Sequence, residues 1–229
     1  MENNPIRLSA RLSMIAEMLP QSQRYIDVGS DHGMLIAHLL ETHPDARGIA
    51  TDIHEAPAQR TAAFLRERSL TDRCEVYCTD GFGSLTPMSG DAAILSGMGA
   101  YEIMHILDDL CLRHSIPKEW TLLLQPQKNF TEMREYLTSH AWQIIEERII
   151  CDREKWYTAI RCMPGDAMAQ LTLTESFLGP YLIQNPPLLW LPYLRHQKAK
   201  LEKIVKGKPD YQEVWEAVDR WIKESEAQK

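Results

Sequence analysis

Three carboxylates stand where short apolar runs give out: Asp27 after Tyr25-Ile26, Asp52 after Ile49-Ala50-Thr51, and Asp80 after Val76-Tyr77-Cys78-Thr79. Each run reads as a β-strand, and ligands of open α/β sheets bind outside the carboxyl ends of the strands. The first run continues Val28-Gly29-Ser30-Asp31-His32-Gly33. That glycine turn lets backbone approach a ligand closely, and it carries a second acid. A single such acid is better explained as a helix cap or a solvated loop carboxylate. Three at successive strand ends favour a binding site.

The spacing excludes two common nucleotide sites. A dinucleotide fingerprint needs G-x-G-x-x-G, whereas only Gly29 and Gly33 are present, and no Lys follows Gly33 to make a Walker A loop. Carboxylates also suit a cationic, hydroxyl-rich ligand better than a pyrophosphate. S-adenosylmethionine meets that description, with a sulfonium, an ammonium and a ribose diol. Asp27 and Asp31 are then expected at its methionine end. Asp52, 25 residues beyond Asp27, is expected on the ribose hydroxyls, and Asp80-Gly81 at the adenine edge.

These residues need a frame to hold them. Leu8, Leu12, Ile15, Ala16 and Leu19 recur at helical spacing up to Pro20. Strands are expected at 24–28, 48–52, 74–78, 92–95 and 121–124, with helices over 33–43, 55–69, 101–113 and 129–139. Residues 142–150 and 156–162 read as a closing hairpin. Alternating strands and helices predict a doubly wound, Rossmann-like α/β sheet, mostly parallel with an antiparallel edge. After Met163-Pro164-Gly165 the pattern changes. Thr172-Leu173-Thr174-Glu175 has capping-box spacing, and helices over 188–206 and 210–226 carry apolar stripes that predict an antiparallel hairpin. The expected domains are 1–163 and 164–229.

Bulk properties narrow the setting. The 229 residues are 44% hydrophobic, enough for a sizeable core. The five cysteines form no C-x-x-C and no zinc set, which fits reduced thiols in the cytoplasm. No apolar run is long enough to span a membrane, and no metal site is evident. The net charge of −7 runs against nucleic-acid binding, yet the imbalance lies wholly in residues 1–163. Between Tyr193 and Lys208, six basic residues face one acid, Glu202. That stretch is either the solvated face of a helical hairpin or a phosphate-contacting ridge, with Arg195, Lys198, Lys203 and Lys206 as its candidates. Arg60, Arg66, Arg68 and Arg73 offer a second basic patch.

Asp27-Val28-Gly29-Ser30-Asp31-His32, Asp80-Gly81, Gly97-Met98-Gly99 and Leu124-Gln125-Pro126, with the opening Arg7-Leu8…Arg11-Leu12, resemble the motif set of the bacterial tRNA adenine(22)-N1 methyltransferase family. The resemblance covers essentially the whole chain. It implies a class I methyltransferase domain followed by a coiled-coil-like helical domain. The implied reaction moves a methyl group from S-adenosylmethionine to N1 of a tRNA adenine. The implied cofactor residues are Asp27, Gly29, Ser30, His32, Asp52, Ile53, Asp80, Gly81, Gly97, Met98 and Gly99, with Asp31 as the catalytic candidate. The implied partner is tRNA; the residues themselves point to no metal and no membrane, and a monomer is expected.

Residue chemistry agrees with that implication. Enzymes that methylate exocyclic amines often carry (Asp/Asn/Ser)-Pro-Pro-(Tyr/Phe) after the fourth strand, whereas Ser96-Gly97-Met98-Gly99 stands there. Adenine N1 has an in-plane lone pair and needs mainly positioning. The chain also departs from the family pattern. Gly33-Met34-Leu35-Ile36 replaces Ala-Tyr-Leu-Pro, Ala100 replaces a glycine, and Gln127 replaces an asparagine. These changes bear on the acceptor side more than on the cofactor site. Two other readings stay open: a methyltransferase for a small molecule, and a non-catalytic protein that keeps the cofactor fold. Only the tRNA reading requires the basic ridge.

Overall fold

The computed structural model describes residues 4–166 and 170–227. Seven strands form one sheet: β1 (Arg24–Val28), β2 (Arg47–Asp52), β3 (Cys74–Cys78), β4 (Asp91–Ser96), β5 (Thr121–Gln125), β6 (Trp142–Asp152) and β7 (Lys155–Pro164). Their order is β3-β2-β1-β4-β5-β7-β6. The first five run parallel, and the β6–β7 hairpin adds an antiparallel edge through β7 on β5. Strand order reverses between β1 and β4, which fixes the switch point where doubly wound sheets bind ligands.

Alternation along the strands sorts the core into two layers. Ile26, Val28, Ala93, Leu95, Leu122 and Leu124 face one side and bury α4 (Ala100–Arg113) and α5 (Phe130–Ser139). Tyr25, Ala50, Ala92, Ile94 and Leu123 face the other, against α1 (Ala10–Met18), α2 (Met34–Thr42) and α3 (Glu55–Glu67). The strand–helix alternation breaks once, where no helix was expected: β3 connects to β4 through turns over 79–90. Asp80-Gly81-Phe82-Gly83 explains the break, because Gly81 and Gly83 take positive φ and Phe82 is buried in the core as an anchor.

Beyond β7 come α6 (Leu173–Leu178), α7 (Pro180–Gln184), α8 (Trp190–Ile204) and α9 (Gln212–Ala227). The capping box at Thr172 and Glu175 is formed in full. Leu194, Leu201, Val214, Val218 and Ile222 bury the facing stripes of α8 and α9, and Ile149 of β6 joins the same cluster. The joint to the sheet is polar. Arg134 of α5 and Glu147 of β6 are fully buried and paired at 2.7 Å. Arg134 also donates to the carbonyls of Ser176 (2.9 Å) and Phe177 (3.0 Å), and Glu147 accepts from the Tyr181 amide at 3.1 Å. Gly179 sits over this pair with φ +111, where any Cβ would strike both Glu147 and Arg134.

Among the described residues, no helix is long and apolar enough to cross a membrane. All five cysteines are free thiols.

Candidate active site

The site begins with the turn between β1 and α2. The Gly29 and Ser30 amides both donate to Thr51 O of β2, at 2.8 and 3.0 Å, which folds the chain sharply back on itself. Gly29 (φ +74), Asp31 (φ +53) and Gly33 (φ +68) all take left-handed backbone. Glycine tolerates that conformation freely, and aspartate is among the few other residues that do. A Cβ at Gly29 would also meet the flexible methyl end of Met98, which could shift aside, so the left-handed backbone is what calls for glycine.

Two adjoining cavities open on this turn. One is lined by Arg11, Asp27, Gly29, Ser30, Asp31, His32, Ser96, Gly97 and Gln127 among others. The second takes in Gly29, Asp52, Ile53, Asp80, Gly81, Gly97, Met98 and Glu102. Gly29, Ser96 and Gly97 are common to both, so one continuous cleft crosses the carboxyl ends of β1 and β4. Gly99 caps α4 just behind it. All the residues expected to hold cofactor, Gly99 apart, thus line one cleft.

Within the cleft the acids differ in character. Asp27 is buried, and burial pushes its carboxyl up to about 6; nearby Arg11 pulls it down, and Asp52 raises it. Ser30 Oγ lies near enough to lower it too, yet this buried hydroxyl has no partner at hydrogen-bond geometry. Asp52 is oriented by backbone: Oδ2 accepts from the Asp31 amide (3.3 Å) and Oδ1 from the His54 amide (3.0 Å). Lone pairs remain free on both oxygens. Asp31 sits at the rim, with its side chain 55% exposed, and it pairs with Arg60 at 2.7 Å and His32 at 3.2 Å.

The basic candidates divide. Arg195 is paired with Glu226 at 2.6 Å and Lys198 with Asp219 at 2.5 Å, so two of the four ridge residues are instead spent joining α8 to α9. Lys203 and Lys206 are exposed. The arginine patch is also dispersed. Arg73 caps the end of α2 through carbonyls including Pro44 O (2.7 Å) and Leu40 O (3.0 Å), Arg68 pairs with Glu41, and Arg60 serves Asp31.

Three site residues lay outside the expected set. Arg11 of α1 reaches the cleft and donates to Gln125 Oε1 at 2.8 Å. Its signal was a charge interrupting the apolar stripe of α1. Gln127 donates its side-chain amide to Gly97 O at 2.6 Å, and its backbone amide to Met98 O at 2.8 Å. Glu102 follows Gly99 by one helical turn and carried no signal of its own. Of the departures from the family pattern, Ala100 is wholly buried in the core and Leu35 and Ile36 are core residues. Met34, Leu35 and Gln127 also line the cleft.

Comparison with known proteins fits this geometry. A family model described as a methyltransferase domain matches residues 8–160, up to the middle of β7. The tRNA (adenine(22)-N(1))-methyltransferase of Bacillus subtilis is 27% identical over 209 residues, covering 88% of this chain and 87% of its own. The solved structure of the B. subtilis M1A22 tRNA methyltransferase TrmK superposes with a TM-score of 0.77 at 24% identity, over 94% of this chain and 96% of that one. A Streptococcus pneumoniae protein, Sp1610, solved in complex with S-adenosyl-L-methionine, gives a TM-score of 0.82 at 23% identity, over 94% and 100%. The chain belongs to the methyltransferase domain family, and it resembles tRNA (adenine(22)-N1)-methyltransferases along nearly its whole length.

Proposed function

We propose that this chain transfers the methyl group of S-adenosyl-L-methionine to N1 of an adenine in tRNA, at position 22 by analogy with the Bacillus relative. The observation that carries the reading is the acid-lined cleft at the β1/β4 switch point, with a glycine floor and an orphaned Ser30 hydroxyl. The cofactor supplies an electrophilic methyl on a sulfonium. Asp27 and Ser30 offer a carboxylate and a hydroxyl to its ammonium, and Asp52 offers its free lone pairs to the ribose diol. Gly29 and Gly97 leave room for a ligand against backbone. Asp80 and Ile53 border the adenine end.

The acceptor nitrogen brings its own lone pair, so no general base is required. The protein must align donor and acceptor, and positioning of that kind supplies most of such an acceleration. Methylation leaves a positive charge on the adenine. Asp31 is placed at the rim to stabilise that charge once its carboxylate turns from Arg60. Every residue named for the site comes from one chain, which supports a monomer, and a tRNA substrate supports a cytoplasmic reaction.

The direct test incubates the protein with methyl-labelled S-adenosylmethionine and unmodified tRNA, then digests the RNA to nucleosides. Label in 1-methyladenosine is the expected result. Label in another nucleoside, or in none, overturns the reading.

A further inference from the structure

A second depression lies beside the cofactor cleft, between the start of α5, the β6–β7 turn and α8. It comprises two cavities of about 460 and 520 Å³ that share Gln127, Phe130, Trp156 and Lys200. Each is the size of ordinary ligand pockets. Gln127 and Arg11 also line the cofactor cleft, so the groove leads into it.

The charge of this groove opposes that of the chain as a whole. Arg11, Lys128, Lys155, Lys200 and Lys208 line it, against Glu132 and Glu154 alone. Among the described residues, none of these four lysines makes an ion pair, whereas Arg195 and Lys198 on the same helix α8 are both paired. Desolvation lowers the Lys200 pKa, although the residue as a whole is exposed. The rest of the wall is aromatic: Phe130 and Trp156 are half-buried, and Trp156 packs against Tyr193 at 5.4 Å and His196 at 5.9 Å. Alternating cations and ring faces track a single-stranded nucleic acid, since phosphates meet the cations and every base has a π-face to stack. Paired RNA would bury its bases and gain nothing from the rings.

We propose that this groove binds the RNA strand flanking the methylated adenine in an unstacked form, with Lys128, Lys200 and Lys208 on phosphates and Phe130 and Trp156 against bases. This inference rests on the tRNA reading above and adds the path by which the strand reaches the cleft. It also replaces the outer ridge of α8 with the inner face of the same helix.

The test uses the full chain and unmodified tRNA. Lys200→Gln combined with Lys208→Gln should raise the tRNA KM about tenfold and lower the log–log salt slope of tRNA binding by roughly two units. The cofactor Kd should stay within about twofold, because neither lysine reaches the cleft. Lys118→Gln, at the opposite end of the sheet just before β5, removes one positive charge away from the groove and should leave the slope unmoved. Trp156→Leu should weaken tRNA binding about tenfold while Trp156→Phe retains it, with thermal melts confirming that both variants fold. A slope and KM in the Lys200/Lys208 variant equal to those of Lys118→Gln would overturn the inference. So would equal tRNA affinity for the two Trp156 variants. If the wild type itself fails to methylate tRNA, the parent reading falls instead.

Discussion

The cofactor cleft and the groove beside it share a wall and differ in almost everything else. The cleft at the carboxyl ends of β1 and β4 is lined by Asp27, Asp31, Asp52, Asp80 and Glu102, with Arg11 as its main cation. The groove against α8 carries five cations and two acids, and its walls are aromatic. The first suits a small cationic ligand with hydroxyls, the second a polyanion with flat rings. A net charge of −7 therefore describes neither. What matters is which side of Gln127 a charge lies on, and an acidic chain can handle nucleic acid if its unpaired cations are gathered in one place.

The largest expected effect tests whether the two regions form one body. Arg134→Ala leaves Glu147 buried and uncompensated and strips donors from the carbonyls of α6. It should destabilise the protein by about 3–5 kcal/mol in denaturant unfolding. A loss below about 1 kcal/mol would mean that the helical region is held by its apolar cluster alone.

Asp27→Asn sharpens the contrast from the cofactor side. The folded-state pKa of Asp27 lies near 6, above its ordinary 3.8. The native state therefore binds the extra proton between those values, and stability falls as pH rises from about 4 to about 6. Above that window the charged form costs on the order of 3 kcal/mol. The variant should thus be more stable than wild type at pH 8 and no more stable at pH 4, in thermal melts, while losing cofactor affinity. A wild-type cofactor affinity that rises with pH through about 6 would mark the same carboxylate. A destabilised variant at pH 8 would show that Asp27 contributes to the fold rather than straining it.

Asp52→Ala should weaken cofactor binding by roughly 1–3 kcal/mol by calorimetry, the cost of leaving ribose hydroxyls without an acceptor. Its tRNA affinity in the absence of cofactor should be unchanged. Coupled losses would erase the division between cleft and groove.

The smallest effect belongs to the outer face of α8. Arg195→Gln with Lys198→Gln breaks two hairpin pairs, each worth about 0–1 kcal/mol. It should leave the salt slope of tRNA binding where it was. A drop of about one unit per residue would return the RNA to the outer ridge.

Much of the cleft was legible in the sequence because it is built from local rules. A strand ending in an acid and a glycine turn can be read from consecutive residues, and parallel topology then carries the three ends to one edge. The groove was not legible in that way. Lys198 and Lys200 are two residues apart, yet one meets Asp219 and the other faces the groove. Which does which depends on how α8 is rotated against α9 and β7, a tertiary outcome. Nothing near Arg134 announced Glu147 either, since a basic residue among Met133 and Leu137 looks like a solvated helix position. The β3–β4 connection, by contrast, was read without a helix and has none; only the anchoring of its turns by buried Phe82 escaped.

The buried Arg134–Glu147 pair has a consequence for anyone who would exchange parts of this protein. Composition invites a cut near residue 164, where the sheet ends. A graft made there would carry away the carbonyls of Ser176 and Phe177 and the amide of Tyr181, and leave their partners Arg134 and Glu147 behind in the donor. A transplant that takes its own arginine, glutamate and Gly179 together would keep the joint intact. In shuffled libraries of related chains those three positions should travel as a single inherited unit, and survivors that split them should be rare.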